Sequence, residues 1–324
     1  MTEYPQKTPV LMLAPMAGIT DWPFRLRCQE CGADELVTEM VSAMGLLQAP
    51  SDSRAYQHLL AFHERERNLT IQLFGHQPDI MAGAAARVSL LPQYKGIDLN
   101  FGCPAPKVTG SGSGSALMKN LARSEQIIRA VRKATAKPLS VKMRIGWDSN
   151  HINAVDFAKM CEAAGADSLC VHGRTRQQQY AGRADWGVIA QVKQAVSIPV
   201  IANGDVFTPQ NVQVLLNQTG ADGIAVGRGA LGNPWLFGQI KQVLRGEEPS
   251  TPSAEEILKT ALSHLQDMVS FKGEHWALIE MRKHFAWYLK GTHGAAATRA
   301  QINTIDSLDK LLAILEQHFD KLEA

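Results

Sequence analysis

Gly96-Ile-Asp-Leu-Asn-Phe-Gly-Cys-Pro-Ala-Pro106 is the stretch whose reading decides the fold. A short apolar run, Ile97 to Leu99, arrives at Asn100 and turns through a lone thiol, Cys103. Pro104, Pro106 and Lys107 follow, then Gly110, Gly112 and Gly114. A strand that opens into a loop of glycine and proline is where α/β folds place their chemistry. A free cysteine is most often a small buried hydrophobe. One set between glycine and proline in a polar loop has little core to fill, and can act instead as a proton donor or a nucleophile.

Seven further runs share the character of this strand. Together the eight lie at 11–14, 36–39, 69–73, 96–99, 139–143, 168–171, 199–202 and 223–226. Most are short, apolar and bounded by Gly, Pro or Asn, as strands covered on both faces should be. Helical patterns alternate with them at 23–30, 55–62, 79–90, 124–134, 154–164, 187–195, 209–216 and 235–244. Eight βα units predict an α/β fold of the (β/α)8 TIM-barrel type. An open doubly wound sheet would want a G-x-G-x-x-G first turn, whereas this one reads Ala14-Pro-Met-Ala-Gly-Ile-Thr-Asp21. Beyond Arg245 the strand runs stop. Gly246-Glu-Glu-Pro-Ser-Thr-Pro-Ser253 reads as a linker with Ser253 as a helix N-cap, and helical patterns follow at 254–271, 275–289 and 302–322. The expected organisation is a barrel over residues 1–245 and an all-helical domain over 246–324.

The chain has 324 residues, 45% of them hydrophobic, which is ample for a large core. Its net charge of +2 provides no global field toward nucleic acid or membrane, so any polyanion must be held by local patches. Cys28, Cys31, Cys103, Cys161 and Cys170 make an odd count, and the N-terminus carries no signal-peptide pattern. That combination predicts a reducing, cytoplasmic setting, with no segment that spans a membrane. Cys28-x-x-Cys31 has no second pair at zinc spacing, so it reads as helix packing plus a turn thiol, and no metal is expected.

In a barrel all strand C-termini open on one face. Here they deliver Pro15-Met16-Ala17, Glu39, Gln72, Asn100 with Cys103, Lys142 with Arg144, His172, Asn203-Gly204-Asp205 and Gly227-Arg228. Barrel interiors otherwise prefer branched apolar residues, so polar groups at nearly every strand end mark a site. The loops after strands seven and eight are the common phosphate site of this fold, and Arg228 would add a bidentate donor to glycine backbone N–H groups. Lys142 could form an imine or stand beside an electron-rich ring. Gln72 and His172 suit the polar edge of a flat heterocycle. Flavin mononucleotide fits this pattern, and so does pyridoxal phosphate with Lys142 as its imine lysine.

Six ordered motifs then carry a resemblance: Ala14–Asp21, Asp98-Leu-Asn-Phe-Gly-Cys-Pro104, Val141-Lys-Met-Arg144, Val171-His-Gly-Arg-Thr175, Ile201-Ala-Asn-Gly-Asp205 and Gly227-Arg228. The chain resembles the tRNA-dihydrouridine synthases, closest to the bacterial type-B branch, with Gly110–Gly114 and Gly146–Ser149 similar to type C. The Lys283-His-Phe-Ala-Trp-Tyr-Leu289 stretch extends the likeness into the helical part. The resemblance implies an enzyme that reduces a uridine in folded tRNA, with FMN as cofactor, NADPH as reductant and a monomer as the working state. It implies that Cys103 protonates uracil C5 while the reduced flavin delivers hydride to C6. Pro15, Met16 and Ala17 would back the ring. Gln72, Lys142 and His172 would bind its polar edge, and Asn203, Gly204, Asp205, Gly227 and Arg228 would hold ribityl and phosphate. Asn100 and Arg144 are the candidates for holding the uracil carbonyls. Lys107, Arg174, Arg176 and Arg183 at the mouth, with Arg282, Lys283 and Lys290 on a helix whose other side carries Met281, Phe285 and Leu289, are candidates for tRNA phosphates. Two rivals are a barrel acting on a free pyrimidine, which needs no helical appendage, and a non-catalytic RNA-binding scaffold, which has no use for Cys103, Lys142 and Arg228.

Overall fold

The computed structural model describes residues 8–323. Eight strands pair in sequence order: β1 (Val10–Leu13), β2 (Glu35–Ser42), β3 (Leu69–Phe74), β4 (Gly96–Phe101), β5 (Leu139–Arg144), β6 (Ser168–His172), β7 (Val200–Asn203) and β8 (Gly223–Val226). All pairs are parallel, and β1 closes on β8 to complete the barrel. Each expected strand is present. β2 runs further than expected, because a register shift between Val37 and Met40 carries the strand past Glu39 and pairs Met40 with Gln72.

Alternation along the strands divides two environments. On β4, Ile97, Leu99 and Phe101 join the apolar layer beneath the surrounding helices. Asp98 and Asn100, between them in sequence, face the barrel interior with Met12, Val37, Cys170, Ile201 and Ala225. Helix Trp22–Glu30 shows how the outer layer is set. Asp21 caps it by accepting from the Phe24 N–H, and Pro23 occupies its first turn. Cys28 is buried on this helix and Cys31 caps its end, as the spacing led one to expect.

After the barrel come four helices, Ala254–Lys272, Glu274–Tyr288, Ala295–Ile302 and Leu308–Glu323. The helix expected from 302 therefore starts only at Leu308, and Ala295–Ile302 is a helix the sequence reading did not anticipate. Ile302, Ile305 and Leu308 keep a helical spacing that hides the break, while Asn303-Thr304 and Asp306-Ser307 supply turn chemistry and Ile305 is buried within the break. Ser253 and Glu256 form a reciprocal capping box at the first of the four. These helices bury Leu265, Met268, Met281, Phe285 and Leu315 in an apolar cluster of their own.

Ion pairs fasten this bundle to the barrel. Arg27 reaches Asp267 at 2.8 Å and Lys272 reaches Asp21 at 2.7 Å. Gly232, at φ +67°, lies so close that an added Cβ would stand 2.3 Å from the Trp287 backbone. Among the described residues no helix is long and apolar enough to cross a membrane.

Candidate active site

One cleft opens at the C-terminal ends of the strands. Pro15, Met16 and Ala17 enter it from the end of β1, and Gln72, Lys142, Arg144 and His172 from the strands themselves. The loop after β4 contributes Cys103, the loop after β7 contributes Asn203, Gly204 and Asp205, and the loop after β8 contributes Gly227 and Arg228. Parallel pairing explains the convergence. Residues in register on adjacent strands point the same way, so Gln72, Asp98 and Ser140 stand in one row across β3, β4 and β5. Arg144, His172, Asn203 and Ala225 form a second row across β5 to β8.

The loop that carries Cys103 is held from three sides. The Asn100 side-chain carbonyl accepts from the backbone N–H groups of Gly102 (3.2 Å) and Cys103 (2.8 Å). Arg144 Nε donates to the Gly102 carbonyl at 2.8 Å, and its Nη1 donates to the carbonyls of Thr175 and Gln179. Ser115 donates to the Cys103 carbonyl through both its N–H and its hydroxyl. Gly114, at φ +60°, packs beneath, where a Cβ would lie 2.8 Å from the Cys103 carbonyl oxygen. The thiol is half-buried at the cleft wall.

The floor is electropositive. Lys142 Nζ donates to Asn203 Oδ1 at 3.1 Å, and Asn203 donates onward to the Ala225 carbonyl. Burial, reinforced by Lys142, Arg144, Arg174 and Arg228, holds His172 well below the usual imidazole range, so it is neutral at pH 7. Arg174 Nη1 lies 3.4 Å from His172 Nε2. Because a guanidinium can only donate, that nitrogen is the acceptor and Nδ1 carries the hydrogen.

Two of the sequence-selected charges are spent differently from expectation. Arg174 is 2% exposed rather than at the mouth. It grips Asp205 with both oxygens within 2.9 Å, and donates to the Ala181 and Gly182 carbonyls. A guanidinium so enclosed does not reach a phosphate on a macromolecule. Its partner Asp205 is thereby ion-paired beside Gly204. Arg228 remains the cation of that rim, 3.7 Å from Asp205 and held between the rings of Tyr180 (4.9 Å) and Phe207 (5.4 Å).

The outlying basic residues divide as well. Lys107, Arg183 and Lys290 are exposed. Arg176 packs over the Trp147 ring at 4.6 Å, with Lys119 also over that ring at 4.7 Å. Arg282 donates to the Ile305 carbonyl, and Lys283 Nζ donates to the Gly18 carbonyl on the loop after β1, so both act first as ties.

The sequence reading missed Tyr180, Phe207, Met40 and Asp98. Tyr180 and Phe207 line the cleft at its mouth, 54% and 48% exposed. An aromatic residue within a polar Gly-rich loop after a strand was their available signal. Met40 enters only through the irregular β2. Asp98, an acid within an otherwise apolar strand, was signalled by that break in pattern.

A family model described as dihydrouridine synthase (Dus) matches residues 12–323. The chain is 42% identical over 312 residues to the tRNA-dihydrouridine synthase B of Pseudomonas aeruginosa, covering 95% of this chain and 92% of that one. It is 38% identical over 322 residues to the tRNA-dihydrouridine synthase B of Xanthomonas axonopodis pv. citri, covering 98% and 94%. Among solved structures, a 2-naphthoyl-CoA reductase complex superposes with a TM-score of 0.55 at 12% identity, over 73% of this chain and 50% of that one. The histamine dehydrogenase of Rhizobium sp. 4-9 gives 0.54 at 12% identity, over 79% and 48%. These two likenesses concern the fold.

Proposed function

The chain belongs to the dihydrouridine synthase family, on its type-B branch, and from that premise we propose how its cleft reduces a uridine of tRNA. The cofactor in this reading is a flavin, specifically FMN, with NADPH as the reductant. The residues present suit such a group. At Gly227, in the cleft wall, an added Cβ would fit in ordinary contact with Met16 Sδ at 3.7 Å, so the glycine is not forced by crowding there and instead leaves its backbone bare toward the cleft. Arg228 stands beside it as a phosphate donor. Lys142 and the neutral His172 offer a cation and a donor to the ring's polar edge, and Gln72 lies on the same floor. When bound and reduced, the flavin supplies hydride to C6 of the uracil.

The chain's own work is then acid catalysis and positioning. As C5 gains electron density, Cys103 holds the proton it needs, and the donors to Asn100 and from Arg144 fix the loop that presents the thiol. Of the two candidates for the uracil carbonyls, Asn100 already uses both ends of its amide. Arg144 keeps its Nη2 without a partner among the described residues, so it takes the larger share of that role. Tyr180, at the mouth, covers the entering base. A base buried in folded tRNA must be extruded at a cost of a few kcal/mol, which contacts elsewhere on the RNA offset. Lys107, Arg176, Arg183 and Lys290 are the proposed phosphate contacts, with the helical domain over 246–324 as the second platform. The protein works in the cytoplasm in this reading, as a monomer.

The observation that carries the reading is the meeting of Cys103 with Lys142, His172 and Arg228 in a single cleft. The test is to reduce the purified yellow enzyme with NADPH, mix it with tRNA lacking dihydrouridine, and map dihydrouridine by position. New dihydrouridine at one position is expected. Reoxidation by a free pyrimidine but not by tRNA would replace this reading with the small-substrate rival.

A further inference from the structure

We propose that Asp98 is a positioning residue for the reaction: acting through Gln72 and Asn100, it anchors a row of two side-chain amides and thereby holds the backbone of the Cys103 loop. The proposal rests on the reading of Cys103 as the acid. Asp98 is 3% exposed and lies in the barrel interior beneath the cleft. Its carboxylate accepts from Ser140 Oγ at 2.6 Å and from Gln72 Nε2 at 2.6 Å. Gln72 Oε1 in turn accepts from Asn100 Nδ2 at 2.8 Å, and Asn100 Oδ1 accepts from the N–H of Cys103 at 2.8 Å.

Directionality gives this row its consequence. An ionised carboxylate can only accept. Gln72 must therefore turn its NH2 toward Asp98, which leaves its carbonyl facing Asn100. Asn100 must answer with its own NH2, which leaves its carbonyl for the N–H groups of Gly102 and Cys103. Reversing either amide sets two donors or two acceptors face to face, and a buried mispairing of that kind costs about 1–3 kcal/mol. The carboxylate enforces this direction at one end of the row, and the backbone N–H groups of Gly102 and Cys103 enforce it at the other. A neutral amide at position 98 would still accept from Gln72, but through an uncharged and weaker hydrogen bond, and the row would be held less firmly. Burying a charge here, where an apolar side chain would pack at less cost, has its explanation in the charge-assisted anchor it gives the row.

The test uses the full-length, flavin-loaded protein and its Asp98→Asn and Gln72→Met variants. In Asp98→Asn, reduction by NADPH should proceed as in the native enzyme, since that step does not use Cys103. Reoxidation at saturating tRNA should fall about 10- to 100-fold, with the half-saturating tRNA concentration unchanged. Iodoacetamide labelling, read per cysteine by peptide mass spectrometry, should rise selectively at Cys103 in both variants. Cys28, Cys161 and Cys170, all buried, should stay protected. The double variant should be no worse than the worse single one, because both break one chain.

Native reoxidation together with native Cys103 labelling in Asp98→Asn would overturn the proposal. If that variant instead exposes Cys161 and Cys170, it has lost its fold, and Gln72→Met decides: failure to loosen Cys103 selectively there also overturns it. Full turnover in Cys103→Ala would sink the acid reading by a separate route, leaving the labelling result to report on the tether itself.

Discussion

The barrel mouth and the helical appendage both present many polar side chains, and they use them differently. At the mouth, rows set by strand register bring Gln72, Asn100, Lys142 and His172 to one cleft, and the loop after β8 adds Arg228. On the appendage, much of the charge is spent on holding the molecule together. Lys272 bridges Asp21 and Glu280 at 2.7 Å each, and Lys283 reaches Gly18. A strand-end side chain points where the pleat sends it. A helix-surface cation serves whatever lies opposite, and that is known only once the helix has docked.

The first way to break this comparison is at the mouth. Cys103→Ala should retain flavin and lose about 10²- to 10⁴-fold in tRNA turnover, the range for a removed general acid. Single-turnover reoxidation by tRNA measures it, and a native rate would remove Cys103 from the chemistry. Arg174→Ala should act on stability instead. It strands the partly buried Asp205 carboxylate, and breaking such a pair costs about 3–5 kcal/mol. Denaturant unfolding reads that loss, while the salt dependence of tRNA binding should stay native; a shallower dependence would return Arg174 to the RNA footprint.

Asp98 sharpens the comparison through pH. Burial pushes its carboxyl up to about 6 from an ordinary 3.8. The folded state therefore binds this proton more tightly than the unfolded chain does. Its contribution to stability is complete below about pH 4, is lost as pH rises toward 6, and is level above that. Two units correspond to about 3 kcal/mol. Unfolding curves of the native protein minus those of Asp98→Asn should show this slope between pH 4 and 7, and parallel curves would mean that the carboxylate is not desolvated. Arg228→Ala should weaken flavin retention by about tenfold, as for one lost charge-assisted donor; unchanged occupancy in dialysed protein would move the phosphate elsewhere. The smallest effect is expected at the exposed rim. Lys107→Ala should lower the salt slope of tRNA binding by just under one. Lys283→Ala should instead lower the melting temperature, and the reverse pattern would exchange their roles.

Much of the fold was legible. Eight short apolar runs bounded by glycine, proline and asparagine became the eight strands, and Ala154–Ala164 was bounded as its sequence suggested. The helix expected over 302–322 was misread because Ile302, Ile305 and Leu308 maintain a helical spacing across a turn. Every residue proposed for the cofactor lines the cleft, since each stands at a strand end or in the loop just beyond it. Arg174 also follows a strand end, yet it folds back onto Asp205, because that carboxylate, 31 residues on, sits beside it.

By itself the sequence determined the order of the strands, the closure of the barrel and the strand-end residues of the cleft, but not its Met40, Tyr180 and Phe207. What it determined follows from local periodicity and from which residues end each run. Only the tertiary structure decided which polar groups remain free to act. The pairing of Asp98 with Ser140, of Arg27 with Asp267 and of Lys283 with Gly18 joins residues far apart in the chain. A buried charge or amide takes the partner that space provides, and space is settled when the elements pack.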